Sequence, residues 1–344
     1  MNVKALLILA FLWAQPAWTQ GFAGLGTDAD GFAMPAPDPV FDFPADHGAH
    51  PDYRIEWWYL TANLTAADGT AYGLQWTLFR SALAPGEAEG WQSPQIWFAH
   101  AAVTTPNAHY ATERFARGGI GAAGVQAAPF RAWIDEWALE GPDFDTLQMR
   151  AAGPDFAYDM ALEAQGPLVF HGAGGFSVKS EEGQASYYYS QPFYRITGTL
   201  DLPGGPVEVT GNAWLDREWS SQLLSARQEG WDWFSLSFDD GTKMMGFQLR
   251  EGEGQAYTAG TWITPDGATD AFENGMFQSE ALETAQVAGR DVPTAWRVTV
   301  PARGVDVEVR AKHPNAWMDL SIPYWAGDRH RQPPRRRLSG DDRL

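Results

Sequence analysis

RIEWWYLTANL (54–64), an Asp68-Gly69 turn and AYGLQWTLFRSAL (71–83) together form the stretch that decides the fold. In the second arm Tyr72, Leu74, Trp76 and Leu78 share one side, while Gln75, Thr77 and Phe79 take the other. That period of two belongs to a strand, and Asp-Gly between two such runs signals a hairpin. WDWFSLSF (231–238), Asp240-Gly241 and KMMGFQLR (243–250) repeat the device about 175 residues later. Further strands are predicted at 95–103, 185–191, 195–202, 207–215, 256–263, 295–301 and 305–311. Helical periodicity is scarce, confined to a turn at RDVPTAW (290–296) or around 111–118. Many short strands joined by Gly, Pro and Asp turns make an all-β chain, a barrel or a sandwich. The repeated hairpin points to two similar barrels, divided near residue 220.

Location is read from the first residues. MNVK carries one lysine, ALLILAFLWA (5–14) is apolar, and Ala17 and Thr19 occupy the small-residue positions of a cleavage site. Residues 1–19 therefore read as a secretory signal peptide, too short to span a membrane, and no later run is long enough for a transmembrane segment. The expected protein is exported, periplasmic or secreted. It has no cysteine, so it relies on its core rather than on disulfides. A net charge of −19 argues against nucleic acid and against anionic membrane surfaces as partners. The balance is uneven: residues 328–344 hold six basic and three acidic residues, against 18 and 40 elsewhere. A basic tail of this kind, with two consecutive prolines, is expected to be disordered.

The 17 tryptophans concentrate in strands. Adjacent Trp57 and Trp58 must face opposite sides of theirs, one into a barrel and the other outward. Large core residues explain such a set; so does an aromatic cavity for a long apolar ligand at the mouth of a barrel. NAWLDREWSSQ (212–222) sharpens the choice, because Asp216 and Glu218 share a face with Trp214 while Arg217 points away. Glu56 likewise shares a face with Trp58. Either the acids pair with distant arginines such as Arg80 or Arg250 in a structural lock, or one is kept protonated among indoles as a general acid. His47 and His50 in DHGAH lack a third ligand, so neither metal nor cofactor is expected. His100 lies beside Phe98 on a strand. HGAGG (171–175) looks like an oxyanion loop, yet there is no GxSxG elbow, and a glycine-rich turn between strands explains it better.

FPADHGAHPDYRIEWWYLTANL, WFAHAAVT, YYYSQP and NAWLDREWSSQ…GWDWFSLSFDDG together resemble the AttH-like family, secreted relatives of carotenoid 1,2-hydratase (hydroxyneurosporene synthase). The resemblance runs from about Phe22 to Trp325. It implies two tandem lipocalin-like, calycin-type antiparallel β-barrels: a linker at 20–41, a first barrel at 42–220, a second at 221–327, and the tail at 328–344. Relatives include hydratases of isoprenoid double bonds and catalysts of pericyclic ring closure. The pigment-making hydratases carry a histidine near the acid that matches Asp216, and AWLDREW has none. Past IPYW (322–325) relatives continue into a strand pair, where this chain has AGDRHRQPPRRRLSGDDRL, which reads as a frameshifted or truncated end. The resulting expectation is a binder of a long apolar, isoprenoid or lipid-like molecule, with Asp216, Glu218 and Tyr188 as candidate catalytic residues. Glu56, Trp58, Trp76, His100, Trp214, Trp231 and Trp233 are the candidate ligand contacts. As an enzyme it would be a hydro-lyase hydrating an isolated C=C bond. The rival is a non-catalytic carrier or chaperone linked to an export transporter.

Overall fold

The computed structural model describes residues 29–222, 224–225, 227–252, 256–326 and 329–331. Thirteen strands form one antiparallel sheet: β1 (Ile55–Ala66), β2 (Ala71–Ala82), β3 (Gln95–Thr104), β4 (His109–Arg117), β5 (Ala123–Gln126), β6 (Phe130–Ile134), β7 (Trp137–Gly141), β8 (Thr146–Ala152), β9 (Ala157–Ala164), β10 (Val169–Phe170), β11 (Phe176–Val178), β12 (Ala185–Leu202) and β13 (Gly205–Ser220). Their order is β4-β3-β2-β1-β13-β12-β9-β8-β7-β6-β5, with β10 and β11 also on β12. The sheet curls until β6 packs against β2, β3 and β4, making a nearly closed barrel. Its interior holds the largest apolar cluster, including Trp58, Leu60, Trp76, Trp97, Trp137, Tyr189 and Trp219.

The later strands lie in other sheets. β14 (Gln228–Ser237), β15 (Lys243–Glu251), β16 (Tyr257–Ile263) and β17 (Thr269–Phe272) form one. β18 (Gln278–Val287), β19 (Arg290–Val300), β20 (Val305–Ala311) and β23 (Arg329–Arg331) form the second, and β21 (Trp317–Met318) pairs with β22 (Tyr324–Trp325). Both sequence-predicted hairpins form, in the registers Trp58↔Leu78 and Trp233↔Phe247. The described strands after β13 are thus divided among three sheets.

Several local expectations are corrected. RDVPTAW, within β19, and 111–117, within β4, are strand and not helical turn: β19 lies between β18 and β20, and β4 is an edge strand paired along its length with β3; Pro293 is tolerated beside a register shift between β18 and β19. The two runs at 185–191 and 195–202 are one 18-residue strand, β12, broken only by a bulge between Gln191 and Tyr194, where Pro192 has no N–H to give. Within the tail, Arg329–Arg331 pair antiparallel with β20. An edge strand needs only backbone partners there, and the prolines come after it. Residues 1–19, expected to be a signal peptide, and residues 332–344 lie outside the described residues.

Inside the barrel one acid is locked. The Glu56 carboxylate is fully buried and meets Arg80 Nε through Oε1 and Arg217 Nη2 through Oε2, the latter at 2.6 Å. It also accepts from the His50 backbone N–H at 2.9 Å. Burial alone would raise its pKa, but the two guanidiniums outweigh that and hold it well below the usual carboxylate range. Arg217 lies flat over Trp58 at 3.8 Å and reaches the Gly48 carbonyl, which ties the 44–54 segment to the barrel end. Replacing Arg217 with Met is expected to cost about 3–5 kcal/mol, because Glu56 would keep one guanidinium for two buried oxygens. Urea unfolding at pH 7 measures this; a loss below about 1 kcal/mol would show the pair to be dispensable.

Candidate functional site

The sequence-predicted residues fall on two faces of the same strands. Alternation along β13 sends Ala213, Leu215, Arg217 and Trp219 into the barrel and Trp214, Asp216 and Glu218 outward. Along β1, Glu56 and Trp58 point in, while Trp57 and Tyr59 point out. Glu56, Trp58 and Trp76 are therefore built into the packed interior, all at 0% exposure, on the far side of the strands from Asp216. Asp216, Glu218, Tyr188, Trp214 and His100 lie on the outer face. The β14–β16 sheet covers that face with Trp231, Trp233, Phe247 and Ile263. Trp214 meets Trp233 edge-on at 6.4 Å, and Trp57 meets Trp231 at 6.3 Å.

Among the described residues Asp216 makes no ion pair, contrary to the arginine-lock expectation, and Lys179, paired with Glu218, acts on it only through space. Arg80 is spent on Glu56, and Arg250 pairs with Asp232 at the surface. Three neutral donors converge instead on one oxygen, Oδ1: Ser190 Oγ at 2.5 Å, Trp214 Nε1 at 2.7 Å and Tyr188 Oη at 2.9 Å. No hydrogen bond to Oδ2 is made among the described residues, so a proton on this carboxyl belongs there. Burial is the largest influence and pushes the pKa up to about 7; the three donors oppose it and Glu218 adds to it. Asp216 is thus a carboxyl that holds its proton far above the usual carboxylate range, walled by aromatic rings.

His171, Ser190, Thr261, Lys179 and Ser186, which the sequence reading did not assign to the site, complete the cluster. His171 Nε2 lies 2.7 Å from Ser190 Oγ, and its Nδ1 lies 2.9 Å from Thr261 Oγ1 on β16. Since Ser190 donates to Asp216, the imidazole must donate from Nε2 and accept at Nδ1. Burial, helped by Lys179, holds it neutral, well below the usual imidazole range. Lys179 pairs with Glu218 Oε1 at 2.9 Å, and Ser186 Oγ donates to the same oxygen at 2.5 Å. HGAGG is the glycine-rich turn that the sequence suggested, with φ of +66°, +60° and +104° at Gly172, Gly174 and Gly175. Its function is to swing His171 inward between β10 and β11. A signal for Lys179 did exist: it is one of four lysines in a chain with 24 basic residues, and it follows the strand-like FSV.

His100 belongs to a neighbouring patch of the same face. It is fully buried, its Nδ1 lies 3.1 Å from Tyr324 Oη, and burial holds its pKa at about 3. The rows of register join it to the acid: Asp216↔Tyr59, Tyr59↔Thr77 and Thr77↔His100 are successive cross-strand partners. His47 and His50 are occupied structurally, His47 by Tyr189 Oη at 2.7 Å and His50 between Asp46 and Glu56. Two surface concavities, about 360 Å³ beside Glu136 and Arg150 and about 610 Å³ beside Gln278 and Arg297, contain none of these side chains.

The match of the AttH-like family model over residues 34–332 settles the relationship. The chain belongs to the AttH-like family. A Nitrosomonas europaea protein solved under the name AttH is 30% identical and superposes with a TM-score of 0.78, over 87% of this chain and 95% of that one. Kievitone hydratase from Nectria haematococca superposes with a TM-score of 0.63 over 88% and 91%; at 12% identity it shares the fold. No curated protein matches the chain in sequence. The all-β expectation and the AttH-like resemblance therefore both hold, with one nearly closed barrel established.

A raised carboxyl pKa makes a pH-dependent demand on this AttH-like fold. The folded pKa of Asp216 lies above its ordinary value of 3.8, so folding favours the protonated form. The residue costs nothing below that value and weakens the fold as pH rises toward 7. Asp216→Asn keeps an acceptor for the three donors and removes the titration. Relative to the wild type, this variant should gain up to about 4 kcal/mol between pH 4 and pH 8 in urea unfolding. A difference independent of pH would show that the carboxyl titrates normally.

Proposed function

We propose that this protein holds a long apolar molecule, isoprenoid or lipid-like, between the outer barrel face and the β14–β16 sheet, and adds water across an isolated C=C bond by acid catalysis at Asp216. The observation that carries the reading is a buried carboxyl with no ion pair among the described residues, its Oδ1 met by three donors and its pKa pushed up to about 7. A group in that state both keeps and gives up a proton near neutral pH. The fold shared with kievitone hydratase supports a hydratase as the reaction class. The apolar leader-like run at 5–14 supports an exported setting.

Asp216 Oδ2–H transfers its proton to the less substituted alkene carbon, and the π pair becomes the new C–H bond. The positive charge left on the more substituted carbon faces the indoles of Trp214, Trp231 and Trp233, which stabilise it through their ring quadrupoles. A water oxygen then bonds to that carbon and loses a proton to the Asp216 carboxylate, which restores the acid. Tyr188 Oη, donating to Asp216 at 2.9 Å and accepting from Trp233 Nε1 at 3.2 Å, retains one lone pair to orient this water. The Glu218–Lys179 pair balances its own charge nearby, so that Asp216 is not forced to ionise as Lys179's partner.

Tryptophan emission should shift or quench when C20–C40 isoprenoids are added. Incubation in H₂¹⁸O should yield a hydrated product carrying the label, seen by mass spectrometry. Asp216→Asn should bind the same molecules and form at least about a hundredfold less product. Binding without any product in the wild type would make the protein a carrier, and a folded protein blind to the whole panel would remove the cavity.

A further inference from the structure

Lys179 and Trp231 carry a feature that hydration at Asp216 does not use. The Lys179 side chain is at 0% exposure, and its ammonium meets one acceptor, Glu218 Oε1 at 2.9 Å. That oxygen is already engaged by Ser186 Oγ. An ammonium has three N–H bonds, so at least two find no acceptor among the described residues. The rings of Phe247, Tyr188 and Trp231, at 4.3, 4.9 and 5.2 Å from Nζ, balance charge but accept hydrogen bonds poorly. The indole N–H of Trp231 is itself buried without an acceptor. Buried donors are nearly always paired, because each unpaired one costs about 1–3 kcal/mol and more when charged. Two orphan donors on adjoining side chains, in the wall of the candidate site, are a seat for an acceptor that the protein itself does not supply.

We propose that Lys179 Nζ and Trp231 Nε1 bind an oxygen at the head of the apolar ligand: a carbonyl, carboxylate or enolate oxygen. The assignment rests on the apolar-ligand reading above and narrows its substrate class from a plain hydrocarbon to an oxygen-headed one. Tyr188 links seat and acid, since Lys179 lies over its ring while its hydroxyl donates to Asp216. The reacting double bond therefore lies near the oxygenated end of the molecule and not at its far terminus. Glu218 fixes the ammonium in place, and the ammonium disfavours ligands that bring a second cation.

Phytane, phytanal and phytanic acid share one branched chain and differ in the head, and equilibrium dialysis at pH 8 measures each with the full-length protein. The oxygenated pair should bind at least about tenfold more tightly than phytane, the worth of one charge-assisted hydrogen bond. Trp231→Phe deletes one donor while keeping an aromatic ring and should cut that preference severalfold. Because Lys179→Met alone would leave Glu218 buried and unpaired, the paired variant Lys179→Met with Glu218→Gln tests the ammonium. It should bring phytanal and phytanic acid down to the affinity of phytane for the same variant. Equal binding of all three probes to the wild type, or a preference that survives both variants, overturns the oxygen seat and leaves the apolar site standing. Failure of all three, phytane included, overturns the apolar site as well.

Discussion

Everything at the centre of this molecule depends on the ladder between β1 and β13, twelve residues a side, from Ile55↔Ser220 to Ala66↔Val209. It joins the first hairpin of the barrel to its last strand and sets the phase of both. With the phase fixed, Glu56 and Arg217 meet inside, where two guanidiniums meet one carboxylate. Asp216, one residue away, faces outward among indoles and hydroxyls and makes no ion pair among the described residues. Neighbouring charged residues thus receive opposite treatment: one is held ionised, the other is pressed toward neutrality. A register slip by a single residue would exchange the two environments and leave both charges uncompensated.

How much of this was legible beforehand varies with the range of the physics involved. The hairpins and the division of Trp57 from Trp58 between two faces follow from a period of two, which is local. The outward grouping of Trp214, Asp216 and Glu218 follows from the same rule. What alternation cannot say is which face is a core and which an interface, and so Glu56, Trp58 and Trp76 were grouped with residues on the opposite side of the sheet. The strands β5 to β9 escaped because TLQMRAA and AYDMALEA are rich in residues that favour helix, and only their neighbours make them strands.

The partners of the acids were the hardest to see. Lys179, His171, Ser190 and Thr261 approach Asp216 and Glu218 from β16, from β12 and from the turns around β10 and β11. Nothing in their spacing announces it. His171 sits in a motif that suggests a different chemistry, and only the path of the glycine turn shows where its ring goes. Arg80 looked equally eligible for any acid, and the sheet decided in favour of Glu56. Charge pairing across 24 to 161 positions of sequence is a property of topology, and topology is what a single sequence states least directly.

The span of that central ladder also governs how the chain can reach its fold. β1 and β2 close on a turn of a few residues and can pair within microseconds. The other edge of β1, carrying IEWWYL, has to wait until Val209–Ser220 is available, some 150 residues later. Closing so long a loop costs more entropy than local pairing and places the step late in folding. In the interval a flat, tryptophan-rich strand edge stands open to any other chain that offers backbone hydrogen bonds. Yield of the folded protein should therefore depend on concentration and on whatever shields nascent chains, more steeply than the stability of the finished barrel alone suggests.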